Sequence, residues 1–453
     1  MKKMTKVVLA LCATAGLGGC DLSVPDLNNP SVESLENSPT RSAVMSASTG
    51  LLIGHRTGMA TQNGYVSMLG MLGRESYVLD VADPRYISEM LAGNGLDPGS
   101  PAFGGNFWVA PYANIRNANT LLNALGKVPG VSDTEKEAIR GFAKTIQALD
   151  FLVVINTRDT NGAPIDVNRP LGSDLAPLES KEVVLAHIAT LLDEAKAHLQ
   201  AGGDTFPFPL STGFTGFDKP STFLTFNRAV KARVDVYRED WNQALTDLSE
   251  SFINDTGSLD TGVYHAFGTG SGDAQNQLND PDLFVHPAVL ADAEKQVDDP
   301  ATTENESTKL DDRVVRKVKA AKEERKWQDV SSSHVFAHYP VATSALPIIR
   351  NEELILLRAE ANLGLGNTST AMADLNRIRV RSGKLAALPE NLSADLIVDE
   401  LLEQRRYSLL FEGGHRWIDM RRYNKLNELP LDAAGHRVHA AFPIPIAETD
   451  ARK

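Results

Sequence analysis

Two stretches of this chain read alike, and both read as paired helices. Phe226 to Leu248 places Ala229, Ala232, Val236 and Tyr237 at helical spacing, breaks at Glu239-Asp240, and resumes with Trp241, Ala244 and Leu248. Leu354 to Leu375 repeats the plan with Leu354, Leu357 and Ala361, a break from Gly364 to Thr368, then Ala371 and Leu375. In each, Ala-x-x-Asp-Leu lies in the second helix, from Ala244 and from Ala371. Small side chains there let antiparallel helices approach closely, which is the packing logic of tetratricopeptide-type hairpins. The spacing is irregular, so the pattern predicts a few helix pairs and not a regular solenoid. Three further segments carry helical signals: Tyr112 to Leu125, Asp133 to Asn156 with Ser132 or Asp133 as cap, and Glu182 to Leu199 ending at Gly202-Gly203.

The amino end reads differently. Lys2, Lys3 and Lys6 precede the apolar run Val7 to Leu17, which is shorter than the roughly 20 helical residues a bilayer core requires. It reads as a signal peptide over residues 1–19. Leu17-Gly18-Gly19-Cys20 resembles a lipobox, which predicts acylation of Cys20 and a stable lipid anchor. Residues 20–40, rich in Asp, Asn, Pro and Ser, read as a flexible tether, and 41–453 as one domain. Cys12 leaves with the leader and Cys20 is consumed by lipid, so no disulfide, thiolate nucleophile or Cys-ligated zinc is expected.

The net charge of −13 grows more negative when the three leader lysines are removed. Such a chain repels phosphate backbones, which argues against nucleic acid as a partner.

Catalytic and metal constellations are poor. Glu352 and Glu353 are neighbours on a helix and point about 100° apart, unsuited to flanking one glycosidic bond. His334 and His338 have the i,i+4 spacing of a zinc pair but no third ligand. The acidic run Asp298, Asp299, Glu304, Glu306, Asp311 and Asp312 lacks EF-hand spacing and reads as a solvated charged loop. Gly268 to Gly272 lacks the lysine of a phosphate loop. No cofactor or metal is expected.

Binding is the chemistry that remains. Residues 57–107 and 254–345 carry clusters of Gly, Asn, Asp and Pro, and read as loops and short elements crowning a helical scaffold. Sugar rings stack on aromatic faces while Asn, Asp, Arg and Gln bond their hydroxyls. The candidates are Arg74, Tyr77, Arg85 and Tyr86 on the first irregular stretch, with Trp108 at its edge. Trp108 begins a helical stripe with Tyr112, Ile115 and Asn119, which favours core over platform. Trp241 and Trp417 read as core, and Trp327 fits either role. Aromatic content of 6% argues against a broad stacking arc for a long glycan.

Residues 346–446 add an ordered set of motifs: Leu346-Pro347-Ile348-Ile349-Arg350, Leu356 to Asn362, Leu375 to Gly383, Arg405 to Gly413, Arg416 to Arg422, and Phe442-Pro443-Ile444-Pro445. Together with Trp108-x-x-x-Tyr112-x-x-Ile115-x-x-x-Asn119 and the lipobox, this set resembles the SusD/RagB family of nutrient-binding outer-membrane lipoproteins. Gln404 and Ser408 stand where that family usually has glutamates, and Gly413-Gly414 inserts an extra glycine before Arg416. Two adjacent glycines cost a helix roughly 2 kcal/mol relative to alanine, so a break is expected there. The motif itself reads as structural, with Asp419 and Arg422 placed to pair. The resemblance implies an all-α SusD-like fold with a loop-rich ligand face. It implies a surface-exposed, non-enzymatic receptor that hands an oligosaccharide or peptide to a SusC-like TonB-dependent transporter. Asp21 after Cys20 resembles an inner-membrane retention signal, which keeps a periplasm-facing adaptor for protein partners as the alternative.

Overall fold

A computed structural model describes residues 32–453 apart from 94, 101, 171 and 299–304. The signal peptide, Cys20, Asp21, Asp299 and Glu304 lie outside the described residues.

Helices dominate. In chain order they are α1 Val32–Asn37, α2 Arg41–Arg56, α3 Tyr65–Leu72, α4 Val109–Ala124, α5 Asp133–Arg158, α6 Lys181–Ala201, α7 Pro220–Tyr237, α8 Trp241–Glu250, α9 Asn351–Gly364, α10 Thr368–Ile378, α11 Ala394–Ser408 and α12 His415–Arg422. Short helical turns lie between some of them. Consecutive helices pack as hairpins, α4 on α5, α5 on α6, α7 on α8 and α9 on α10, and cross-packing of α6 on α7 and α8 on α9 joins them.

Local chemistry accounts for these boundaries. Ser132 starts α5 as a capping box, its Oγ accepting from Glu135 N at 3.3 Å while the Glu135 carboxylate accepts from Ser132 N at 2.9 Å. The two segments with matching patterns are α7–α8 and α9–α10. Gly364 lets these pairs meet, because a Cβ there would sit 2.4 Å from the Trp241 ring. Residues 32–37, expected as part of a tether, are helical: Leu35 is buried and Lys127 Nζ donates to Glu36 O at 3.1 Å. An apolar leucine with a neighbouring hydrophobic core outweighs the polar composition around it.

Three two-stranded antiparallel sheets interrupt the helices. They pair β1 Ser76–Val78 with β3 Leu283–Val285, β2 Gly262–His265 with β6 Leu346–Arg350, and β4 Val318–Trp327 with β5 Val330–Phe336. The region 254–345 therefore holds a long hairpin where mainly loops were expected. His334 lies inside β5, so its spacing to His338 does not stack the rings on one helical face. His334 instead contacts Ser333 Oγ, and His338 Nδ1 donates to Lys317 O at 3.3 Å.

The C-terminal motifs meet in a buried ionic lattice. Arg350 donates from Nε and Nη2 to Glu412 at 2.9 and 3.0 Å and from Nη1 to Glu352. Lys317 Nζ donates to Glu412 Oε1 and Ser408 O, both at 2.6 Å. Ser408 Oγ bridges Arg313 and Glu352. Beside them Arg405 binds Asp419 at 2.6 Å, Arg422 binds Glu360 at 2.6 Å and Asp419 at 3.2 Å, and Arg233 grips Glu353 at 2.6 and 2.7 Å. Glu352 and Glu353 thus diverge into separate ion pairs. As the glycine pair implied, the helix breaks between Ser408 and His415. Gly414 has φ of +71°, and a Cβ there would lie 2.2 Å from Leu69. With no continuous helix to align them, Glu412 turns to Lys317 and Arg350 and not to Arg416.

Burial opposes ionisation of Glu412 and Glu352, but Arg350 and Lys317 overcome it and hold both pKa values at about 2. Glu75 has the opposite balance. It is buried beneath the Glu412 loop with Phe411 N donating to Oε1 at 3.2 Å, and desolvation raises its pKa to about 8, against weaker pull from that N–H and from Lys317.

Glu412→Ala strands Arg350 and Lys317 without their carboxylate and should cost about 3–5 kcal/mol in a urea denaturation series. The pH profile of stability should carry two limbs. The Glu352 and Glu412 contributions are present above the ordinary carboxylate value and disappear as pH falls toward 2. The Glu75 contribution is present below that value and disappears as pH climbs through 8. Glu75→Gln should flatten only the second limb, measured by thermal unfolding from pH 4 to 9.

Candidate functional site

Of the five candidate residues, the structure puts four inside. Arg74 is 1% exposed and in the left-handed region (φ 57°), and works as a strut. Its Nε donates to Pro430 O at 3.0 Å, Nη1 to Met71 O at 3.0 Å and Nη2 to Arg437 O at 2.9 Å. Tyr77 is the middle residue of β1, opposite Phe284, with its ring 4.8 Å from His286 and its hydroxyl toward Asp432. Burial and the Asp432 charge keep that hydroxyl protonated. Trp108 is buried against Tyr112 at 4.9 Å, under the Arg158 guanidinium at 5.4 Å. Tyr86 is buried edge-on to Phe103. These four are therefore corrected from ligand contacts to framework: each large side chain gains more from apolar burial than from a loop surface, and each polar tip finds a partner inside.

Arg85 is the exception. Its side chain is 51% exposed, paired with Asp83 at 2.7 Å, and its guanidinium lies 4.9 Å over the Phe103 ring. Around it the two irregular regions converge. Tyr86 OH donates to Gln62 Oε1 at 3.0 Å, and Gln62 Nε2 reaches Asp280 Oδ1 at 3.4 Å. Asp280 Oδ1 accepts from Asp282 N at 2.9 Å, and the Asp282 carboxylate takes Arg325. Arg325 also donates to Leu79 O at 3.2 Å and covers the Phe284 ring at 5.8 Å. The result is a polar crown of Gln62, Asp80, Asp83, Arg85, Asp280, Asp282 and Arg325, with the aromatic rings beneath it and not on top.

The crown is acidic. Burial together with the Asp83, Asp80 and Asp280 charges favours the neutral Tyr86 phenol. Burial raises the pKa of Asp282, aided by Asp280 and Asp80 and opposed by Arg325. Among the described residues no group of three metal-ligating side chains could hold an ion. In the acidic run, Asp311 takes Arg313, Asp312 takes Arg316 and Lys384, and Asp298 accepts from Ser307 N. Gln62 and Arg325 escaped the sequence reading. The available signal for Arg325 was its place two residues before Trp327, on the same face of a strand that begins and ends in apolar residues.

A separate cleft of about 620 Å³ lies between α4, α5 and α6, with Asn119, Lys144, Phe151 and His187 on its walls and Ile165 and Val167 along its rim.

Residues 270–448 match the model of the SusD family. Over that segment the chain is similar to the SusD family. That match spans Arg325, Arg350, Glu412 and every member of the ionic lattice described above except Arg233. The fold agrees over most of the length. A SusD-like carbohydrate-binding protein from Bacteroides fragilis superposes with a TM-score of 0.70 at 15% identity, over 92% of this chain and 99% of the other. Surface glycan-binding protein A from Bacteroides thetaiotaomicron, in complex with laminarihexaose, gives 0.65 at 15%, over 92% and 98%. A SusD superfamily protein from Bacteroides vulgatus gives 0.66 at 15%, over 90% and 97%. No curated protein matches the chain.

Strut and crown residues separate by measurement. Arg74→Ala removes the side-chain donor from Pro430 O and Arg437 O, leaving Met71 O its backbone donor, and should cost about 2 kcal/mol. Arg85→Ala should change stability by no more than about 0.5 kcal/mol, both read from chemical denaturation.

Proposed function

We propose that this SusD-like chain captures a short oligosaccharide at the crown and passes it, without catalysis, to a SusC-like TonB-dependent transporter in the outer membrane. The observation that carries the reading is the convergence of exposed Arg85 with half-buried Gln62, Asp280 and Arg325, from two distant segments, onto one face. Carboxylate, amide and guanidinium groups at that density are the hydroxyl-bonding set of a sugar site. The glycan held by the neighbouring Bacteroides thetaiotaomicron protein supports the same class of ligand. Because the rings lie under the polar groups, recognition rests on hydrogen bonds, which suits a short oligomer and modest affinity; a peptide is the competing ligand. Acylation at Cys20 would keep the receptor at the cell surface beside its transporter. The periplasm-facing adaptor draws its support from the cleft between α4 and α6, a surface of the kind helical hairpins use for protein partners.

Calorimetry against neutral oligosaccharides of two to six residues should find a ligand, and Arg85→Ala and Asp280→Asn should each weaken it at least tenfold with stability unchanged. Binding confined to peptides would replace the ligand class. A detergent pull-down that recovers no β-barrel transporter, or a body protected from protease on intact cells, would favour the adaptor.

A further inference from the structure

A second site lies away from the crown, where α2 faces the 209–214 segment and the β2–β6 ribbon. There a cavity of about 170 Å³ opens to the surface. It is close in size to an engineered apolar cavity of roughly 150 Å³ that holds benzene. Its walls are hydrocarbon: Leu52, Ile53, Pro209, Leu210, Phe214 and Ile348.

Its polar groups sit together and share one electrical sense. His55 Nδ1 donates to Asp150 Oδ1 at 2.7 Å, and Asp150 Oδ2 accepts from Asn114 at 2.7 Å, so the ring is fixed with Nε2 left over. The His265 ring centroid lies 5.1 Å from that of His55, and among the described residues neither of its ring nitrogens has a hydrogen-bond partner although the residue is 8% exposed. Burial, with the neighbouring His55 ring and the Arg56 guanidinium, holds the His265 pKa well below the usual value, so the ring is neutral and offers one N–H. Arg56 donates to Ala266 O and lies 5.5 Å over Phe267, yet its Nε–H is buried without a partner. No carboxylate lines the cavity.

A buried donor without an acceptor costs about 1–3 kcal/mol unless a ligand supplies one. A cation is disfavoured by Arg56, and a neutral hydrocarbon leaves the N–H groups empty. We propose that this cavity binds a small monocarboxylic acid bearing one ring or one branched chain, its carboxylate toward the Arg56 guanidinium and His265 and its hydrocarbon between Leu52, Ile53, Leu210 and Phe214. The site is independent of the crown and of the function proposed for it.

Benzoate, benzamide and benzene, titrated into the full chain and followed by calorimetry and NMR, test this. Benzoate should bind at least tenfold tighter than either neutral probe. Arg56→Gln should remove that preference and leave benzamide unaffected, while Leu210→Trp should fill the cavity and abolish binding of all three. Oligosaccharide binding should be unchanged in both variants, so failure here is distinguishable from failure of the crown. Equal affinity for benzoate and benzamide, no benzoate binding at millimolar concentration, or benzoate binding that survives Leu210→Trp would overturn the proposal. Should Leu210→Trp not fold, the Arg56→Gln comparison decides alone.

Discussion

The contact on which the rest hangs is Arg350 held between Glu412 and Glu352. Removing these charges from water costs several kcal/mol per ion, and mutual attraction recovers that only when every lone pair and proton is placed. Here they are placed, with Lys317 on the other side of Glu412 and Ser408 bridging Glu352 to Arg313. Such a set gains little net stability over a hydrocarbon core of equal volume, but it tolerates only one relative arrangement of its members. It joins the start of β4, the β6–α9 junction and the loop after α11. Geometry, more than adhesive energy, is what it contributes.

That division explains how the chain could be read. Helices such as α5 and α6 were legible because apolar spacing and a Ser-x-x-Glu cap report directly on backbone state. The Gly413-Gly414 break was legible for the same local reason. The β4–β5 hairpin was not: Lys319 to Lys326 is dominated by charge, and nearly all of it faces solvent, so no alternation marks it as a strand. Arg74 looked like a surface ligand contact because its acceptors, Pro430 and Arg437, lie at the far end of the chain. The crown combines residues from both irregular regions, and nothing local in the sequence joins Arg85 to Asp280 or Arg325, about 200 and 240 residues away.

The crown and the cavity beside α2 use opposite strategies. At the crown, polar groups already bond one another, and under the function proposed above a ligand would have to displace some of those partners. In the cavity, Arg56 Nε–H and His265 wait without partners inside hydrocarbon walls. A receptor that must surrender its cargo is served by the first arrangement, and one that senses a metabolite by the second.

The Arg74 strut also bears on biogenesis. Its guanidinium closes on carbonyls 356 and 363 residues downstream, so the segment around Arg74 cannot complete its contacts until almost all of the polypeptide has been synthesised. Contacts of such long sequence separation are slow to form. A fold whose early portion is locked only by its late portion stays loose until the chain is nearly complete.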